Sequence, residues 1–192
     1  GGSSDAASTL LALNRLWGLH WPRERLLPLA QRLGADVPFF VGGRNAFVEG
    51  IGEHLTPIDV PRQWLAVVKP AAGLATADVF AHPALVRDTP SAILAGFLAE
   101  ATQPGFWRTS WGRNDLQPPA EDRCPEVAQA AEWLQSRFGN SRMSGSGSAV
   151  FARNGMDDQP LVTWPQENAV PAGWVGRMCR SLDHHPLKDW AD

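Results

Sequence analysis

The chain has 192 residues, 44% of them apolar and 19% charged, with a formal net charge of −3. That balance excludes a disordered chain and offers no basic surface for nucleic acid. No apolar run reaches the roughly 18 residues of a membrane-spanning helix, and Cys124 and Cys179 allow at most one disulfide and no metal-ligand spacing, which fits a reducing cytoplasm.

The chain opens on Gly1-Gly2-Ser3-Ser4-Asp5-Ala6-Ala7-Ser8, a glycine-serine loop feeding a helix. Glycines let backbone N–H groups approach a phosphate closely, and a helix start adds roughly half a positive charge. Taken alone, Gly1 to Ser4 read equally well as a linker or an expression scar. The unbroken helical pattern from Asp5 to Trp17 favours the anion-binding loop, with Ser3 or Ser4 as N-cap and Ala6, Leu10, Leu13 and Trp17 on the buried face. Gly18 ends this helix. A second helix is expected from Pro22 to Leu33, apolar at Leu26, Leu29, Ala30 and Leu33, kinked at Pro28 and stopped by Gly34.

Asn45 to Glu49 reads as a strand, followed by Gly50-Ile51-Gly52-Glu53 and a proline-rich connector from Thr56 to Pro61 that marks a domain boundary. Gln63 to Val68 reads as a buried apolar strand. A loop follows to Thr76, then a helical turn from Ala77 to Phe80 and a helix from Ser91, its cap, to Ala101. Residues 102–125 are loop-rich. Pro125 to Phe138 is a helix closed by Gly139, Ser148 to Ala152 a strand, Trp174 to Arg180 a last strand, and 182–192 a polar tail. This order, without a strict strand-helix-strand period, predicts an α+β fold.

Few residues carry chemistry on their own. Ser144-Gly145-Ser146-Gly147 is a weak dinucleotide-fingerprint match that opens a strand, so by itself it is a tight turn. Asp36, in Gly34-Ala-Asp-Val-Pro38, is ordinarily a turn or cap residue, yet the flanking glycine and proline hold its carboxylate on a stiff corner that suits a general base. His184-His185 reads as a solvated pair, and Asn114-Asp115 as a local cap.

Three segments in order are more specific: Gly-Gly-Ser-Ser-Asp-Ala-Ala at 1–7, Gly-Ala-Asp-Val-Pro-Phe-Phe at 34–40, and Ser-Arg-Met-Ser-Gly-Ser-Gly-Ser-Ala-Val-Phe at 141–151. Together they resemble the GHMP kinase superfamily of small-molecule kinases. Phe47-Val-Glu-Gly-Ile-Gly-Glu53, Leu74-Ala-Thr-Ala-Asp-Val-Phe80 and Asn114-Asp-Leu-Gln117 are similar to its branch acting on cytidine diphosphate methylerythritol, in non-mevalonate isoprenoid precursor synthesis.

The resemblance implies an ATP- and Mg²⁺-dependent kinase that phosphorylates the 2-hydroxyl of that substrate. It implies that Gly1, Gly2, Ser3 and Ser4 wrap the ATP phosphates and that Asp36 is the general base. It further implies that Phe80 stacks on cytosine beside Thr76 and Ile51, and that Ser144, Gly145, Ser146 and Gly147 form a turn beside the phosphate loop. No metal ligand is assigned. Residues 1–60 are expected to be the remainder of the N-terminal domain, resembling the ribosomal S5 domain 2-like fold, and 61–181 a ferredoxin-like α/β sandwich. The family's first half of the phosphate loop, a lysine partner of the aspartate, and an aromatic and a histidine that grip the base have no counterpart here. The chain is therefore expected to be N-terminally truncated, inactive alone, and left with an exposed sheet edge and apolar surface. Another superfamily kinase, of homoserine or mevalonate type, and a non-catalytic binding module are the alternatives.

Overall fold

The computed structural model describes residues 1–103, 106, 112–164 and 170–191. The chain divides into two compact units, Gly1–Arg62 with Leu182–Asp192, and Gln63–Ser181. Among the described residues no helix is long and apolar enough to cross a membrane.

The first unit is built on helices α1 (Gly2–Leu16), α2 (Arg23–Leu33) and α3 (Val37–Gly42). Their shared core is Ala7, Leu11, Leu26, Ala30, Val37 and Val41. α1 begins earlier than predicted: Gly1 is its N-cap and its carbonyl accepts from Asp5 N–H at 3.0 Å, so Ser3 and Ser4 lie inside the first turn and neither caps it. The buried stripe is Ala7, Leu11 and Asn14, one residue on from the predicted face, with Ala6 and Leu10 flanking it and Trp17 64% exposed. A helix advances about 100° per residue, so a stripe read one position early puts its last member in solvent. α2 accommodates Pro28 on its exposed side, and Leu33 is exposed rather than buried.

Strands β1 (Ala46–Glu49) and β2 (His54–Pro57) form an antiparallel hairpin, so the predicted proline-rich connector begins as a strand. Thr56 and Pro57 can pair because Pro57 ends the strand, where a missing N–H breaks little of the ladder. The predicted polar tail is instead part of this unit. His184 bridges to Arg44, His185 N–H donates to Gly43 carbonyl at 2.9 Å, and a short 3₁₀ turn (Lys188–Trp190) brings Ala191 into the helical core. The apolar spacing Leu187, Trp190, Ala191 is the sequence signal for that docking. His184-His185 is thus tethered through its backbone, with His184 exposed and His185 half-buried.

The second unit carries an antiparallel sheet of four strands, β3 (Trp64–Lys69), β4 (Arg142–Met143), β5 (Val150–Arg153) and β6 (Val175–Arg180), in the order β4-β5-β3-β6. Numbered along this unit, that is 2-3-1-4, the strand order of a ferredoxin-like sandwich. Its helices are α4 (Thr76–Phe80), α5 (Leu94–Ala101), α6 (Gln117–Arg123) and α7 (Pro125–Phe138). All four precede β4; the described residues between β5 and β6 hold no helix. α7 packs on β5 and β3, burying Val127, Ala130 and Leu134 against Ala66, Val68, Val150 and Ala152.

β3 was expected to be a wholly buried strand, but its burial alternates, with Ala66 and Val68 buried and Leu65 and Val67 half-buried. An antiparallel sheet covered mainly on one face needs only every second residue inside. α5 starts at Leu94 with Ile93 at the cap position, so Ser91 is not its cap. Of the stretch predicted as loop-rich, residues 104–105 and 107–111 lie outside the described residues, and 117–123 form α6. Pro118 and Pro119 suit its first turn, where a missing N–H costs nothing.

Candidate active site

Three groups of the predicted residues fall in the first unit. Gly1 to Ser4 form the start of α1 and not a loop, and the N–H groups of Gly2, Ser3 and Ser4 precede its first helical hydrogen bond. They are therefore donors without helical partners, at the positive end of a 15-residue helix. α1 packs against α3, and Ala7 and Val37 belong to one core.

Asp36 stands at the start of α3. Its backbone is helical (φ −86°, ψ −13°), not the extended form of a capping residue, and its side chain makes no cap bond. The next residues explain why. A cap carboxylate accepts from the second or third helical N–H, and Pro38 removes the first of these donors. Asp36 is exposed, and no side-chain hydrogen bond or ion pair holds its carboxylate among the described residues. The local cap that ordinarily accounts for such an aspartate is absent, and a carboxylate on a fixed corner remains.

Ile51 sits at the tip of the β1–β2 hairpin, 76% exposed. Its N–H donates to the Glu53 carboxylate at 2.6 Å. Glu53 is held below the usual carboxylate range, first by its own backbone N–H, with burial opposing and the Ile51 N–H and His54 assisting. A cavity of about 150 Å³ in this unit is lined by Phe39, Phe40, Arg44 and His184 to Pro186, and by none of the predicted site residues.

The remaining predicted residues lie in the second unit. Thr76 opens α4 and Phe80 closes it; Phe80 is 48% exposed, so it is not an ordinary core phenylalanine. Ser144 to Gly147 form the turn between β4 and β5, closed by Gly147 N–H to the Ser144 carbonyl at 3.0 Å and by Ser144 N–H to the Ala149 carbonyl at 2.9 Å. The Thr76 and Ser146 hydroxyls share a hydrogen bond of 2.8 Å, so the structure brings together two residues that the sequence places 70 apart. Ser148 Oγ adds a bond to the Ala72 carbonyl at 2.9 Å.

Sequence analysis marked Asn114 to Gln117 as a resembling segment and Asn114 as a local cap, but gave neither Asn114 nor Gln117 a contact with the β4–β5 turn. Asn114 caps Leu116 locally, as expected, and also reaches the turn. Asn114 shortly before α6 and Gln117 opening it, next to Pro118 and Pro119, were the available signal. Among the described residues no group of three His, Cys, Asp or Glu could hold a metal ion.

The first 44 residues match the model of the GHMP kinases N terminal domain, and residues 105–153 that of GHMP kinases C terminal. A 4-diphosphocytidyl-2-C-methyl-D-erythritol kinase of Methylibium petroleiphilum is 59% identical over 191 residues, covering 100% of this chain and 64% of the relative. One of the same description from Polaromonas naphthalenivorans is 50% identical over 190 residues, covering 99% of this chain and 61% of the relative. The chain therefore spans less than two thirds of the length of these relatives. A crystal structure of a 4-(cytidine 5'-diphospho)-2C-methyl-D-erythritol kinase superposes with a TM-score of 0.64 at 35% identity, over 80% of this chain and 56% of that one.

Proposed function

The chain belongs to the GHMP kinase family, and from that premise we propose that it is the larger part of an ATP-dependent kinase that phosphorylates the 2-hydroxyl of 4-diphosphocytidyl-2-C-methyl-D-erythritol. The names of the relatives support that acceptor. The observation that carries the reading is the carboxylate of Asp36, unpartnered among the described residues, on a helix that packs against α1, whose first amides have no helical partners.

Phosphoryl transfer requires placement in line and relief of developing charge, and little else from the protein. The N–H groups of Gly2, Ser3 and Ser4 supply oriented donors to ATP phosphate oxygens, reinforced by the helix dipole. ATP arrives with Mg²⁺ on its phosphates; such an ion takes one or two carboxylates at most from a protein and keeps water and phosphate ligands, so the lack of a three-residue cluster among the described residues is compatible with it. Asp36 accepts the proton of the acceptor hydroxyl. Phe80 offers its exposed ring to the cytosine, with Thr76 at the start of the same helix. Free Cys124 and Cys179 support a reducing, cytoplasmic setting.

The test is ATP-dependent phosphorylation of the cytidylyl alcohol by the longer parent enzyme, compared with Asp36→Asn. The expected result is turnover by the parent and a loss of about 10²- to 10⁴-fold in kcat for the variant. The 192-residue chain by itself is expected to be inactive. A parent that leaves this alcohol unphosphorylated, or an Asp36→Asn enzyme with full kcat, would overturn the assignment.

A further inference from the structure

The side-chain amide of Asn114 makes three hydrogen bonds, with both Nδ2 hydrogens in use. Oδ1 accepts from Leu116 N–H at 3.0 Å, which is all that a local cap requires. Nδ2 donates to the carbonyls of Met143, at 2.9 Å, and Gly145, at 2.8 Å, residues 29 and 31 positions away. Three residues on, Gln117 Oε1 accepts from Met143 N–H at 2.9 Å while its Nε2 donates to Glu121 at 2.7 Å. Both main-chain polar groups of Met143 and the first glycine carbonyl of the turn are thus held from the approach to α6.

That grip has a purpose which strand pairing cannot serve. β4 is two residues long, so its ladder to β5 fixes the turn weakly. Gly145 and Gly147 both have positive φ, +55° and +88°, in a segment that glycine leaves free to rearrange. Asn114 pins the carbonyl of Gly145, and the next residue, Ser146, places its hydroxyl on Thr76. An asparagine is the required chemistry. Aspartate has no donor for the two carbonyls, and serine has one.

We propose, resting on the kinase reading above, that Asn114 is a positioning residue for the acceptor side of the site. Through Met143 and Gly145 it fixes the Ser144–Gly147 turn, and the Ser146 hydroxyl then sets the Thr76 side chain that faces the cytidylyl substrate.

The test is steady-state kinetics of the longer parent enzyme with both substrates varied, for the unaltered protein, Asn114→Asp, Asn114→Ser and Ser146→Ala. Asn114→Asp and Ser146→Ala should each raise KM for the cytidylyl alcohol about tenfold, the scale of one lost hydrogen bond, with KM for ATP unchanged. Asn114→Ser, which keeps one donor, should fall between, and it carries the readout if Asn114→Asp does not fold. The double variant should be no worse than Asn114→Asp alone, since both changes cut one route. A parent inactive on this alcohol removes the kinase reading and this role with it. An active parent in which Ser146→Ala leaves both KM values alone, or in which the Asn114 variants lose only folded protein or kcat, overturns the positioning role and leaves the kinase reading standing.

Discussion

A Cβ added to Gly52 would lie 2.3 Å from the carbonyl oxygen of Ala35, so the turn of the β1–β2 hairpin rests directly on the residue before Asp36. Gly52 also holds φ +114°, where an L side chain is strained whatever the space. The obstacle is backbone, not a movable side chain. Gly52→Ala should therefore destabilise the first unit by about 1–3 kcal/mol and displace the Asp36 corner. Amide NMR shifts should move at Ala35 and Asp36, with kcat of the parent enzyme falling; unchanged shifts there would refute the contact.

The same turn should be sensitive to acid. Glu53 accepts from Ile51 N–H, and its pKa lies below that of an unfolded glutamate, first through its own backbone N–H. A depressed folded-state pKa contributes stability that is present above the unfolded value and lost as pH falls through the folded one. The Ile51 amide resonance should titrate below the ordinary carboxylate range, and Glu53→Gln should abolish that titration. An Ile51 shift that stays flat in the native protein would count against the interaction.

Phe80 separates binding from stability. Its ring is half exposed, so Phe80→Leu removes little from the core and should change stability by no more than about 0.5 kcal/mol. A stacked base is worth about 1–3 kcal/mol, which predicts a rise of roughly tenfold or more in KM for the cytidylyl alcohol. A large drop in melting temperature with KM intact would make Phe80 structural.

Asn14 tests whether the C-terminal segment is integral. Buried in α1, it accepts from Trp21 N–H at 2.9 Å and donates to the Trp21 carbonyl at 3.1 Å and the Trp190 carbonyl at 3.4 Å. Asn14→Leu strands those backbone groups and should cost about 1–3 kcal/mol. Deleting residues 182–192 also uncovers the core around Ala191 and should lower chemical-denaturation midpoints further. If the deletion leaves the midpoint unchanged, the segment contributes nothing to the unit.

Helices α1, α2 and α7 were legible because amphipathic periodicity and terminal glycines are local signals; Gly139 closes α7 in the left-handed conformation, as expected of a helix stop. β2, β4 and α6 were not. Two- to four-residue strands and a helix starting Gln117-Pro118-Pro119 carry too little period to announce themselves, and their partners set them. Asp36 was visible as a fixed corner and Pro38 as a missing cap donor, whereas the helical backbone at Asp36, in place of a capping residue's extended form, is something sequence does not display.

The order of residues by itself determined the α+β class, the presence of a helix near the first residues and the proline that removes one of two cap donors from Asp36, because each depends on neighbours within a turn or so along the chain. Tertiary structure alone decided that Asn114 reaches Met143 and Gly145, that Thr76 meets Ser146, and that the last residues return to the helical core. Those contacts close loops of 29 to 176 residues, and only collective burial of the two cores offsets the entropy of bringing such distant segments together.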